Sequence, residues 1–265
     1  MEDPLDAALD LLRRLDPKDI ATNINALCRI APSLAEDLLA SVDQPLGVKT
    51  CPDENKTYLT CDYNRDGDSY RSPWSGKYNP PISGAPEPSE KLRKLEIVAN
   101  DAFDVYRELY YEGGMSSVYL WDEDNGFAGV VLLKKGAEKT AHEGTWDAIH
   151  VFEVDTTSRK TATYRFTSTV ILDLRSASAN LGNLNLTGSL TRQTERTLPI
   201  TDESSQVVNI GTIVEEVESK LRNLLNDVYF GKTRDIVGDL RTVATTSELY
   251  GERQLQGEVA RGLGA

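Results

Sequence analysis

Asp62, Asn64, Asp66 and Gly67 stand at positions 1, 3, 5 and 6 of a twelve-residue stretch. An EF-hand loop uses that spacing to present oxygens to calcium and to turn sharply on glycine. The twelfth position, where such a loop supplies a bidentate glutamate, is Pro73. YLTC before the stretch reads as a short strand, and SPWS after it does not open a helix. The residues therefore read as a polar turn built from Asn, Asp and Gly. Other chemistry is sparse. The only histidines are His142, in a polar turn, and His150, in a strand-like run. No serine or cysteine has the G-x-S-x-G spacing of a nucleophile elbow. Gly231-Lys232-Thr233 resembles the end of a phosphate-binding loop, but the earlier glycine would fall on Asn226 and the segment follows a helix. These residues point to no enzyme and to no cofactor or metal site.

The elements that would position them follow from periodicity. Residues 4–43 read as three short amphipathic helices, and tight links between them suggest a bundle. Their stripes are Leu5, Leu9, Leu12 and Leu15; Ile20, Ile24 and Leu27; and Leu34, Leu38 and Val42. Asp16-Pro17 would start the second helix, and Ser33 with Glu36 would form a capping box on the third. Residues 44–90 are rich in Pro, Gly, Asp and Ser and read as irregular, with Pro80 to Pro88 as a linker. A helix from Ser89 to Tyr111 places Leu92, Leu95, Val98, Ala99, Phe103 and Tyr106 on one face, and Gly113-Gly114 ends it.

Five β-rich runs follow, from MSSVYLW at 115 to a last run ending at Leu198. Asp124-Asn125-Gly126, Lys135-Gly136 and Ser158-Arg159 read as turns between them, which gives an antiparallel meander. Tyr164, Phe166, Ser168 and Val170 share one side of the fourth run and need a cover. Ile210, Ile213, Val214, Val217, Leu221, Leu224, Leu225 and Val228 supply it as one long helix. Residues 242–265 keep a four-residue recurrence of Leu255, Val259 and Leu263 among several glycines. Such a tail either frays or gains order on a partner.

The chain of 265 residues carries a formal net charge of −13, a field that disfavours nucleic acid and anionic lipid. No apolar run is long enough to span a bilayer. MEDPLDAALDLLRRL is acidic and amphipathic, unlike a signal peptide. Cys28, Cys51 and Cys61 form no CxxC pair and read as reduced cytosolic thiols, which leaves the sequons at Asn55 and Asn185 unused.

Several segments together resemble the β-subunit family of the actin capping proteins. They are LDAALDLLRRL at 5–15, SVDQPL at 41–46, CDYNRDGDSYRSPWSGKY at 61–78, LRKLE at 92–96, EGGMSSVYLWD at 112–122, GSLTRQ at 188–193 and NDVYFGKTRDIV at 226–237. The last twenty or so residues match only in pattern: they end ARGLGA, where the family is often basic and glycine-poor.

The resemblance implies an α+β fold. Its parts would be a helical stalk (1–45), an irregular region with a connecting helix (46–114), an antiparallel sheet (115–200), a long helix over the sheet (205–241) and a mobile amphipathic tentacle (242–265), together one compact domain. It implies a cytoplasmic, cytoskeletal protein of cortical actin structures. That protein forms an obligate heterodimer with a capping protein α subunit and blocks barbed ends of actin filaments without calcium.

Arg222 matches an actin-contacting arginine of the family. Lys220 beside it, and Leu255, Val259 and Leu263 on the tail, would join that contact, with Lys232, Arg234 and Arg241 adding to the local field. Arg14 and Tyr78 match residues that meet regulators of the CARMIL type, whose basic motif Asp43 and Asp62 would also face. Myotrophin-like inhibitors, and dynactin with its actin-related filament, are further implied partners. The alternative class is a calcium-regulated severing or signalling protein using the 62–73 loop; a hydrolase would need a nucleophile beside His142 or His150.

Overall fold

The computed structural model describes residues 3–15, 19–139, 142–156, 158, 160–178, 182–202, 204–227, 231 and 234. The chain divides into two units, 1–217 and 218–265. Five helices are described: α1 (Pro4–Arg14), α2 (Ile20–Ile30), α3 (Ala35–Ser41), α4 (Glu90–Tyr110) and α5 (Ser204–Leu225). Five short strands precede α4: β1 (Gly47–Thr50), β2 (Thr57–Thr60), β3 (Arg65–Asp66), β4 (Ser69–Arg71) and β5 (Tyr78–Asn79). Five long ones follow it: β6 (Met115–Glu123), β7 (Gly126–Lys139), β8 (His142–Asp155), β9 (Thr161–Ser178) and β10 (Gly182–Pro199).

The first three helices form a bundle around Leu12, Ile24 and Leu38. Asp3 caps α1 through the Leu5 amide. Ser33 does not cap α3. Pro32–Leu34 forms a 3₁₀ turn instead, which carries the chain straight into α3 without a side-chain cap. The Asp16-Pro17 start of α2 lies outside the described residues.

Segment 44–90 has more order than its composition implied. β1 and β2 make a hairpin, and β3, β4 and β5 make a small three-stranded sheet.

The large sheet is the expected meander, with all neighbours antiparallel in the order β10-β9-β8-β7-β6. Lys135-Gly136 is no turn. Lys135 pairs with Trp146 and Gly136 with Thr145 inside the β7–β8 ladder, where the pairing on either side holds the strand in register despite the weakening that an interior glycine brings. Gly129 is required where it stands, because a Cβ there would lie 2.7 Å from the Phe152 ring.

One face of the sheet carries Tyr119, Val130, Val151, Thr167 and Gln193 in register. Leu46 and Leu59 from the N-terminal segment complete its apolar core with Tyr119, Val130, Leu132, Ile149 and Ile171. The opposite face carries Val118, Val131, His150, Ser168 and Arg192 in register. In the first unit α5 covers this second face. Val207, Ile210, Ile213, Val214 and Val217 are buried. The Asn209 amide donates to Tyr164 Oη and to the Pro199 carbonyl, 3.0 Å each, which sets this turn over β9 and β10. Helix α5 continues into the second unit to Leu225, where Leu221 and Leu225 are also buried. Val228 and the tail residues lie outside the described residues.

Candidate functional site

The two ends of the meander differ, and the difference begins in α4. Periodicity predicts an apolar inner face there, yet Val98 is 49% exposed while Glu96 and Asn100 are buried. Helix α4 lies along β6, the edge strand, whose outward backbone groups need partners in place of water. Asn100 supplies two: its Oδ1 accepts the Val118 N–H and its Nδ2 donates to the Val118 carbonyl, 2.9 Å each. Glu96 Oε2 accepts the Leu120 N–H at 2.6 Å, and Arg71 donates to the Leu120 carbonyl at 3.2 Å. Arg71 and Glu96 then close a bidentate pair at 2.8 and 2.7 Å, with side chains 5% and 0% exposed. Arg93 also binds Glu96 and donates to the carbonyls of Pro73 and Trp74. Side chains thus seal the β6 edge. The signal available in sequence was the pair of polar residues, Glu96 and Asn100, at inward helical positions. At the other end, β10 pairs only with β9 among the described residues, and most of its described side chains from Ser189 to Pro199 are exposed.

The calcium-like stretch is a closed hairpin. Asp62–Asn64 forms a 3₁₀ turn, Gly67 takes φ +57° and β3 returns into β4. Asn64 is buried. Its Oδ1 accepts the Cys61 N–H at 2.9 Å and its Nδ2 donates to the Arg71 carbonyl at 2.9 Å. The oxygen that a cation would use therefore holds the turn together. Asp62 faces Arg65 and the Gln44 amide at 3.4 Å each.

Asp62 and Asp43 come together. Burial raises the Asp43 carboxyl above its ordinary value, a hydrogen bond with Thr169 opposes this, and the Asp62 charge adds to the rise. Burial likewise raises Asp62, with Arg65 and Gln44 opposing. Tyr63 beside them is pushed up to about 12, chiefly by burial and then by Asp43. Asp43 lines a cleft of about 400 Å³ together with Ile20, Val42, Tyr63 and residues of β8 to β10.

Tyr78 sits on β5, half-buried, and donates to the Pro86 carbonyl at 3.4 Å. Arg14 ends α1 and pairs with Asp10 at 2.6 Å. No described hydrogen bond or ion pair joins Arg14 or Tyr78 to the aspartate pair.

In the second unit, Arg222 binds Glu218 at 3.0 Å. The arginine side chain is 38% exposed and the glutamate 1%. Lys220 is exposed on the same helix, and so is Arg234 beyond it. Leu255, Val259 and Leu263, like Lys232 and Arg241, lie outside the described residues. His150 is fully buried with Nδ1 2.9 Å from Ser168 Oγ, a pair enclosed in the core. His142 opens β8 opposite Ser176.

Comparisons with known proteins agree with one another. A family model described as F-actin capping protein, beta subunit, matches residues 5–237. The F-actin-capping protein subunit beta of Yarrowia lipolytica is 61% identical over 267 residues, covering 99% of both chains. That of Aspergillus oryzae is 55% identical over 255 residues, covering 96% of both. Among solved structures, the homodimeric actin capping protein alpha subunit from Plasmodium berghei aligns with a TM-score of 0.53 at 18% identity, over 91% of this chain and 96% of that one. This last likeness is one of fold.

Proposed function

Because the chain belongs to the F-actin capping protein beta-subunit family, we propose that it pairs with an alpha subunit and blocks the barbed ends of actin filaments. The observation that carries this reading is near end-to-end similarity to relatives named as that subunit, at 61% identity over 99% of each chain. The fold supports it: with β6 sealed by Asn100, Glu96 and Arg71, β10 is the edge left for a partner's strand, and an open edge of that length is a liability until it is paired.

In this reading Arg222 and Lys220 face actin. Residues 242–265 act as a tentacle that lays Leu255, Val259 and Leu263 into an apolar groove of actin. Residues 1–45 form a stalk. A basic regulator segment of the CARMIL type meets Asp43, Asp62, Arg14 and Tyr78. Myotrophin-like inhibitors and dynactin remain further partners of the same reading, and the protein works in the cytoplasm at cortical actin. Capping needs no catalytic step. It also runs without calcium, in keeping with the use of Asn64 Oδ1 to close its own turn.

The test is coexpression with the alpha subunit of the same organism. A one-to-one complex should copurify and bind filament ends, while the chain alone should aggregate. A chain that stays monomeric beside its alpha subunit contradicts the reading.

A further inference from the structure

The open edge of β10 carries a charge pattern that bears on which strand it accepts. Between Gly182 and Pro199 the charged residues are Arg192, Glu195 and Arg196. The ladder with β9 places Arg192 opposite Ser168 and Arg196 opposite Tyr164, on the helix-covered face. Glu195 lies opposite Arg165, on the other face. Two of the three charges are already answered within the chain. Arg196 meets Glu216 of α5 at 3.2 Å, and Glu195 meets Arg165 at 3.4 Å. Arg192 is exposed and meets no carboxylate among the described residues.

Consider a second copy of this chain adding at that edge. A continuous antiparallel sheet keeps paired residues on one face, so only residues of like parity can stand opposite each other. Arg192 and Arg196 are even, and Glu195 is odd. In every register, then, the helix-covered face of a homotypic pair brings arginines only to arginines or neutral residues. The other face brings glutamate only to glutamate or neutral residues. No homotypic register gains a cross-strand ion pair, and the one that sets Arg192 against Arg196 does so twice, as two-fold symmetry requires. Like charges directly opposite each other destabilise a strand pair, and opposite charges stabilise it.

We propose that the β10 edge is coded against its own copy and for a partner strand that carries a carboxylate on the helix-covered face opposite Arg192. The occupant is the edge strand of the second subunit, so this rests on the heterodimer reading above and adds the residue that selects the partner. With the β6 edge closed, assembly at β10 stops at two chains.

The experiment uses the full chain coexpressed with its alpha subunit, and measures the heterodimer dissociation constant for wild type, Arg192→Lys, Arg192→Glu and the control Lys94→Glu. Lys94 lies on α4 and pairs with Glu90. Arg192→Glu should weaken the heterodimer about three- to tenfold. Arg192→Lys and Lys94→Glu should stay within about twofold of wild type. Replacing the partner's opposing carboxylate by lysine should restore the Arg192→Glu complex. Expressed without the alpha subunit, the wild-type chain should aggregate and give no discrete two-fold dimer in sedimentation, whereas the Arg192→Glu chain, whose new carboxylate can stand opposite Arg196 twice across the two-fold axis, should give more of one. An Arg192→Glu complex as tight as the Lys94→Glu control overturns the proposal, and so does a tight homodimer of the wild type. Failure of wild type to bind the alpha subunit at all instead contradicts the heterodimer reading, which separates the two failures.

Discussion

Glu96 is fully buried, yet every oxygen it has is in use: Arg71, Arg93 and the Leu120 amide all converge on it. Removing one member of such a set leaves uncompensated charge in the core, so Glu96→Ala should destabilise the complex by about 3–5 kcal/mol, read from chemical denaturation; a shift below about 1 kcal/mol would show that the cluster is dispensable.

The Asp43–Asp62 pair behaves in the opposite sense. Its folded carboxyls sit above their ordinary values because burial disfavours the charge. The folded state therefore binds more protons than the unfolded chain in the window just above the ordinary carboxyl value. Stability should fall as pH rises through that window. Asp43→Asn should then stabilise the protein at pH 7, with the gain shrinking as pH drops toward about 4. Thermal melts across that range provide the check, and a pH-independent difference would contradict it. The same substitution should weaken the binding of a basic regulator segment proposed to dock there.

At the scale of elements, the edge of β6 is closed by side chains and the edge of β10 is open. Asn100→Leu removes both partners of Val118 and would cost about 1–3 kcal/mol for each orphaned group. It should also expose a second edge, so light scattering of the purified heterodimer should reveal species larger than the one-to-one complex. A strictly one-to-one complex would mean that the seal serves stability alone.

Much of this layer could be read from sequence. The five strands, α4 and α5 follow from hydrophobic period, and Tyr164, Phe166, Ser168 and Val170 do share a covered face. The seal could not be read. Nothing in the spacing of Glu96 and Asn100 says that the surface beneath them is a strand's backbone edge rather than water. The meeting of Asp43 with Asp62 was equally hidden, since it depends on how the helical bundle and the 3₁₀ turn fold toward the same face. Lys135-Gly136 misled because an isolated glycine reads as an interruption of a strand pattern, while the β7–β8 ladder runs through it without a break.

On the scale of the whole molecule, the open β10 edge is the proposed seat of the partner strand and the second unit the proposed contact with the filament. Arg222 is held by Glu218 and remains partly exposed. Arg222→Glu should therefore weaken end binding about tenfold, comparable to the loss of one well-placed charge contact, while gel filtration still shows the heterodimer. Deleting 243–265 should raise the off-rate more than it lowers the on-rate, because a tail docks after encounter. Equal off-rates with and without it would assign the tail no part in holding the end.

The most direct measurement is the elongation of preformed filament seeds in the presence of the purified heterodimer, with calcium and with chelator. The account predicts that saturating complex abolishes barbed-end growth equally in both conditions and leaves only growth at the opposite end. Undiminished barbed-end elongation would contradict it.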